Sequence, residues 1–161
     1  MLPRETALVD YVSRLYPHPG VESLLLRLQN DRDLDVLLLL AACWLGSSGR
    51  AAAVADWRAI CDWQAPWHRQ VIGPLRAARM AVRGLGGDAQ LYLQIKECEQ
   101  AAEWTQLKRL EAECLRLIPS GDAEPDCLQH LISCSLGQGV TVTEVLRVTL
   151  QELAYLAAEV S

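Results

Sequence analysis

Four arginines, Arg69, Arg76, Arg79 and Arg83, fall in a stretch with no acidic residue between Gln64 and Gly87. Arg76, Arg79 and Arg83 recur at helical spacing and so share a face, which Arg69 joins if the helix bends only mildly. A guanidinium presents a planar fork of N–H donors that matches a carboxylate or a phosphate. The stripe therefore suits either an anion site or pairing with the protein's own carboxylates, Asp35 among them. In a chain with 20 acidic and 15 basic residues, pairing is the better reading.

Two thiol–imidazole groupings suggest other chemistry. Cys127, His130 and Cys134 would share one helix face, a grouping of residue types that suggests zinc ligands. However, seven residues span about 10.5 Å of helix, while a Zn–S bond is only about 2.3 Å long. One ion does not readily take all three, and no C-x-x-C occurs, so buried thiols beside a hydrogen-bonded histidine are expected instead. Cys61 and His68 have the types of a nucleophile and its base. Pro66 lies between them, and spacing identifies no Asn or Asp to orient the imidazole. No G-x-S-x-G, phosphate loop or dinucleotide fingerprint is present, and Gly84-Leu85-Gly86-Gly87 lacks a preceding strand and reads as a loop. The sequence predicts no catalytic residue, no metal and no cofactor.

The elements that position these groups read as helices throughout, with no sustained β alternation. Leu8, Val9, Val12 and Leu15-Tyr16 form the face of a first helix, closed by Pro17-His18-Pro19-Gly20. Val21, Leu24, Leu25 and Leu28 drive a second, with Asn30 as its stop. Asp31 or Asp33 is placed to cap the third, Asp35 lies in its first turn, and Val36 to Leu45 is unbroken apolar sequence. Ten apolar residues fall far short of the roughly 20 that span a bilayer, so this is a core helix. A fourth helix is predicted from about Ala51 to Trp63, a restart at Ala65-Pro66, and a kink or break at Gly73-Pro74. A long helix follows over about 88–118, with a drift of its stripe that allows a bend near Trp104. A short helix spans about Pro125 to Leu136. Thr141 with Glu144 reads as the capping box of the last helix.

This pattern predicts an all-α fold of about six to eight helices in a single domain over 1–161. A chain of 161 residues with 51% hydrophobic and 22% charged residues has the balance of a globular protein. The net charge of −5 repels nucleic acid and anionic membrane. No apolar stretch follows Met1–Glu5, so no secretory signal is read and a cytoplasmic location is expected. In that setting the six cysteines are expected to be free thiols. Trp44, Trp57, Trp63, Trp67 and Trp104 suit a core, although three between positions 57 and 67 also suit a partner surface.

Two stretches carry a family likeness: "LYPHPGVESLLLRLQNDRDLDVLLLLAACWLG" and "WHRQVIGPLRAARMAVRG". They resemble the small proteobacterial proteins grouped as domain of unknown function 2390. The matching positions are Leu15-Tyr16, Pro19-Gly20-Val21, Leu28-Gln29, Asp35-Val36, Trp44, Trp67, Val71, Pro74-Leu75-Arg76 and Arg79. Asp33 and Leu37 stand where the family pattern has Gly and Asn. The family-like residues lie in 15–83, and the helices over 88–160 are less characteristic. The resemblance implies a helical cytoplasmic protein and brings no activity with it.

Residues and resemblance together point to a non-catalytic interaction or regulatory protein. Its partner would be a protein, with no specific nucleic acid and no membrane, and a homo-oligomer is compatible with it. The alternative is a helical small-ligand or anion-binding protein, which could be an enzyme. Asp35, Arg76 and Arg79 would then meet the ligand, with Trp44, Trp67, Tyr16 and Gln29 around them. Asp35 is expected to pair with Arg76 or Arg79.

Overall fold

The structure is a computed structural model that describes residues 6–51 and 53–160; the reading of Met1–Glu5 lies outside them. Among the described residues the fold is all-α. Its helices are α1 (Leu8–Leu15), α2 (Val21–Arg32), α3 (Val36–Gly46), α4 (Val54–Trp67), α5 (Gly73–Gly84), α6 (Ala89–Leu117), α7 (Cys127–Gly137) and α8 (Glu144–Val160). No helix of the described residues is long and apolar enough to cross a membrane.

Helix α3 is the centre. It has no polar face to turn outward, so it must be enclosed, and ten of its eleven residues are buried. α1, α2, α6 and α7 pack around it, and α8 closes over α2 and α7. The closest approach is to α7: a Cβ built on Gly46 would stand 2.4 Å from the Cys127 Cα. Only a residue without a side chain lets these two backbones meet.

Several helix ends differ from the sequence reading. α2 runs past Asn30 to Arg32 and stops at Asp33, which takes the left-handed conformation (φ 55°). Asp35 is itself the cap of α3, so neither Asp31 nor Asp33 performs that role: its Oδ1 accepts from the Leu37 N–H at 2.9 Å and the Leu38 N–H at 3.2 Å. The cap of α8 is Thr143, whose hydroxyl accepts from Leu146 N–H at 3.2 Å, in place of the Thr141–Glu144 box. Asp88 and Asp126 cap α6 and α7.

The largest difference concerns the two prolines. α4 passes through Pro66 without a restart. Pro66 and Asp62 are both exposed, so water can satisfy the Asp62 carbonyl that the proline leaves without a donor. Before Pro74 the chain does not break either. It widens into a π segment, His68–Ile72, in which the Gly73 N–H donates to the His68 carbonyl five residues back. That extra residue absorbs the misfit between a proline ring and the turn preceding it. Gly73 suits the junction, because a Cβ there would sit 3.0 Å from the His68 oxygen. Residues 54–84 thus form one continuous helical stretch, and α6 returns antiparallel along it.

This return creates an arm. α5 packs on the π segment and on the N-terminal half of α6, and it buries no residue. The C-terminal half of α6 belongs to the core, with Leu107, Leu110 and Cys114 buried. No interruption separates the halves of the 29-residue α6 near Trp104.

Candidate functional site

The residues predicted to converge fall into two polar clusters. The first surrounds Asp35, which the α2–α3 turn holds at the mouth of the core. While Oδ1 caps α3, Oδ2 accepts from the Gln64 side-chain amide at 2.7 Å and lies 3.4 Å from His68 Nδ1. The Asp35 backbone N–H donates to the Gln138 side chain at 2.8 Å. Gln64, only 1% exposed, accepts in turn from the buried Gln106 at 3.1 Å. The cluster therefore ties α3, α4, α6 and the end of α7 together, and its buried polar groups satisfy one another.

The second cluster is the seam of the arm. Arg76 and Arg79 pair with Glu99, not with Asp35. Arg76 Nε lies 3.1 Å from Glu99 Oε1, Arg79 Nε donates to Oε2, and Arg76 also reaches Glu103 at 3.6 Å. Arg79 donates to the Tyr92 hydroxyl at 3.2 Å, and both Arg79 and Arg83 lie over the Tyr92 ring. Burial pushes the Glu99 carboxyl up, but the two guanidiniums outweigh it and leave the group below the usual carboxylate range. Glu103 is pushed up by burial and by its neighbour Glu99. The Arg–Asp35 pairing fails for a geometric reason. Folding the chain back at Gly86-Gly87 sets Arg83 opposite Tyr92 and Arg76 opposite Glu99, while Asp35 lies against Gln64 and His68, at the middle of the helical stretch and before these arginines.

The remaining candidates are dispersed. Trp67 donates to the Ala102 carbonyl at 3.1 Å, and its ring, with that of Trp63, carries the Arg109 guanidinium at 4.9 and 5.4 Å. Trp44 is buried and donates to the Thr6 carbonyl at 2.7 Å. Half-buried Tyr16 lies within the field of Glu22, Glu103 and Arg76; burial first, then the two carboxylates, pushes its hydroxyl pKa up. Gln29 offers its carbonyl to the Asp33 N–H, where α2 ends. Sequence reasoning missed Gln64, Gln106, Gln138 and Arg109. Neutral amides have no diagnostic spacing, and nothing in the chain announced them. Glu99 was findable, because it lies on α6 opposite the arginine stripe once the glycine turn is folded.

The thiol–imidazole groupings are structural in their geometry. His130 is buried against Trp57 and Arg50: its Nδ1 accepts from Trp57 Nε1 at 3.3 Å and its Nε2 donates to the Arg50 carbonyl at 2.8 Å. Both ring nitrogens are engaged, and burial pulls the imidazole below its usual pKa. All six cysteines are free thiols. Burial and then Asp35 push the Cys61 thiol up, the opposite of activation.

No curated protein and no solved structure matches this chain. The family described as "Protein of unknown function (DUF2390)" matches residues 7–110, more than half of the sequence, and takes in α1 to α5, most of α6 and both polar clusters except Gln138. The chain belongs to this family.

Proposed function

We propose that this is a non-catalytic interaction or regulatory protein, cytoplasmic in location, whose binding element is the α5–α6 arm. The observation that carries the reading is the arm itself. It places Met80, Leu85, Leu91 and Leu93 in solvent, and Leu85, at 87% exposure, is the most exposed large apolar side chain among the described residues. Apolar side chains gathered on a protruding element are the usual mark of a surface that meets another protein. The polar clusters support the same reading, because Arg76 and Arg79 are occupied by Glu99 and Asp35 is occupied by a helix cap and Gln64.

Affinity purification from the native host, with wild-type and Leu85→Glu/Leu91→Glu baits, tests it. The expected result is a protein retained by the wild type and lost by the variant. A parallel thermal-shift screen of phosphorylated metabolites addresses the anion-binding alternative. A metabolite that stabilises the wild type but not Arg79→Ala, with no protein retained, would sink the interaction reading.

A further inference from the structure

The arm and α8 differ in charge, although both are apolar on their outer faces. Residues 68–104 carry five cations (Arg69, Arg76, Arg79, Arg83 and Lys96) against four carboxylates (Asp88, Glu97, Glu99 and Glu103). The molecule as a whole has a net charge of −5, so the arm is a basic projection on an acidic body. On α5, Arg76, Met80 and Arg83 recur at helical spacing. On α6, Leu93, Glu97, Gln100 and Trp104 do the same. Arg83 lies over the Tyr92 ring, which sets these two flanks side by side. The resulting face has Met80, Leu93 and Trp104 exposed. Among the described residues Arg83 makes no ion pair beyond its ring contact.

Helix α8 presents the counterpart. Leu146, Leu150, Leu153 and Ala157 face the core, so the opposite stripe is outward. That stripe carries Val145, Val148 and Tyr155, the last 73% exposed, interleaved with Glu152 and Glu159 and bordered by Glu144 and, along one edge, by the exposed Arg147. Glu159 meets His18 of its own chain. Among the described residues Glu144 and Glu152 meet no cation. The stripe from Val145 to Glu159 is about 21 Å long at 1.5 Å per residue. The arm face from Leu93 to Trp104 is about 16 Å long by the same measure. The two surfaces are thus similar in length and apolar at their exposed centres, with the cations Arg83 and Lys96 predominating on the arm and the carboxylates Glu144, Glu152 and Glu159 on α8.

We infer that the arm of one molecule docks on the outer face of α8 of a second copy, a deepening that rests on the arm being the binding element. Apolar burial between Met80, Leu93 or Trp104 and Val148 or Tyr155 would supply the affinity. Arg83 and Lys96 against Glu144 and Glu152 would set the orientation. Arm-on-arm pairing is the less favourable arrangement, because it sets two basic faces together. The contact joins two different surfaces, so each docking event takes an arm from one chain and an α8 from the other, and two molecules that dock reciprocally form a closed dimer.

Sedimentation and light scattering on the full chain, from low to high micromolar, test the inference. The wild type should associate, and more weakly at high salt. Met80→Glu/Leu93→Glu and Val148→Lys/Tyr155→Lys alter exposed positions, so circular dichroism should report an unchanged fold for both. Each variant alone should associate about tenfold or more less tightly than the wild type. Mixing the two should restore a heterodimer, because one supplies an intact α8 and the other an intact arm. An α8 variant that associates like the wild type would mean arm-on-arm pairing and overturn the inference. A wild type that stays monomeric throughout overturns it too, while leaving the interaction reading to its own purification test. Association that persists in the arm variant overturns the inference and the arm's role together.

Discussion

The body and the arm are made from the same kind of element but are stabilised in different ways. In the body, α3 is apolar all round and its neighbours supply apolar faces, so water is excluded and the polar groups that remain must be satisfied internally. In the arm, α5 buries nothing, its sequence alternates small apolar residues with arginines, and its attachment to α6 is largely an ionic seam. Burial of apolar surface is non-directional and cooperative, whereas a partly exposed ion pair is weakened by water and salt. The difference teaches that α5 is held in place but not enclosed, which is the condition for a surface that meets something else.

The sharpest test of that contrast is to damage the body. Trp57 fills the interface between α4 and α7 and donates to His130. Trp57→Ala should cost about 3–5 kcal/mol in chemical denaturation, through a cavity and a stranded imidazole. Asp35→Ala comes next, at about 2–3 kcal/mol, because it removes a helix cap and leaves the Gln64 amide unpaired. Since Asp35 and Arg76 belong to separate clusters, Asp35→Ala/Arg76→Ala should be additive to within about 0.5 kcal/mol. A strong coupling between them would contradict the two-cluster geometry.

In the arm, Glu99→Gln should cost about 2 kcal/mol, discounted because both arginines are partly exposed. Its signature is locality. Amide hydrogen exchange should speed up over 73–98 while α3 and α7 stay protected, and a uniform loss of protection would show that arm and core unfold as one unit.

A gentler perturbation is acid. The His130 imidazole lies below its ordinary value of 6.5, so the unfolded chain takes up that proton more readily than the folded one. Stability from this group is therefore full above about pH 6.5 and falls as the pH drops below it. His130→Asn should remove this slope from a denaturation series between neutral and mildly acidic pH; an unchanged slope would assign it to other groups. The smallest effect is expected at the arm's tip, where Leu85→Ser should shift stability by no more than about 0.5 kcal/mol. A larger loss would mean that Leu85 packs into the fold.

The sequence by itself determined the helices and the core. Val36 to Leu45 could only be an enclosed helix, and the 3.6-residue recurrence of Val21, Leu24, Leu25 and Leu28 named the inner face of α2 correctly. It also favoured a carboxylate of the chain itself over an outside anion as the partner of Arg76 and Arg79. Which carboxylate was a matter of register. Local sequence says that an arginine needs a partner, but only the antiparallel return at Gly86-Gly87 chooses Glu99 over Asp35. The prolines show the same limit. Pro66 and Pro74 read as breaks because a helix loses a donor at each, yet exposure at Asp62 and the π segment before Gly73 accommodate both and keep 54–84 continuous. The Gln64–Gln106–Asp35 network was not legible at all, since neutral amides pair wherever packing brings them. Periodicity fixes which face of each helix is apolar. Only the tertiary structure decides how far each helix extends beyond the core that needs it, and that distance is what leaves the arm exposed.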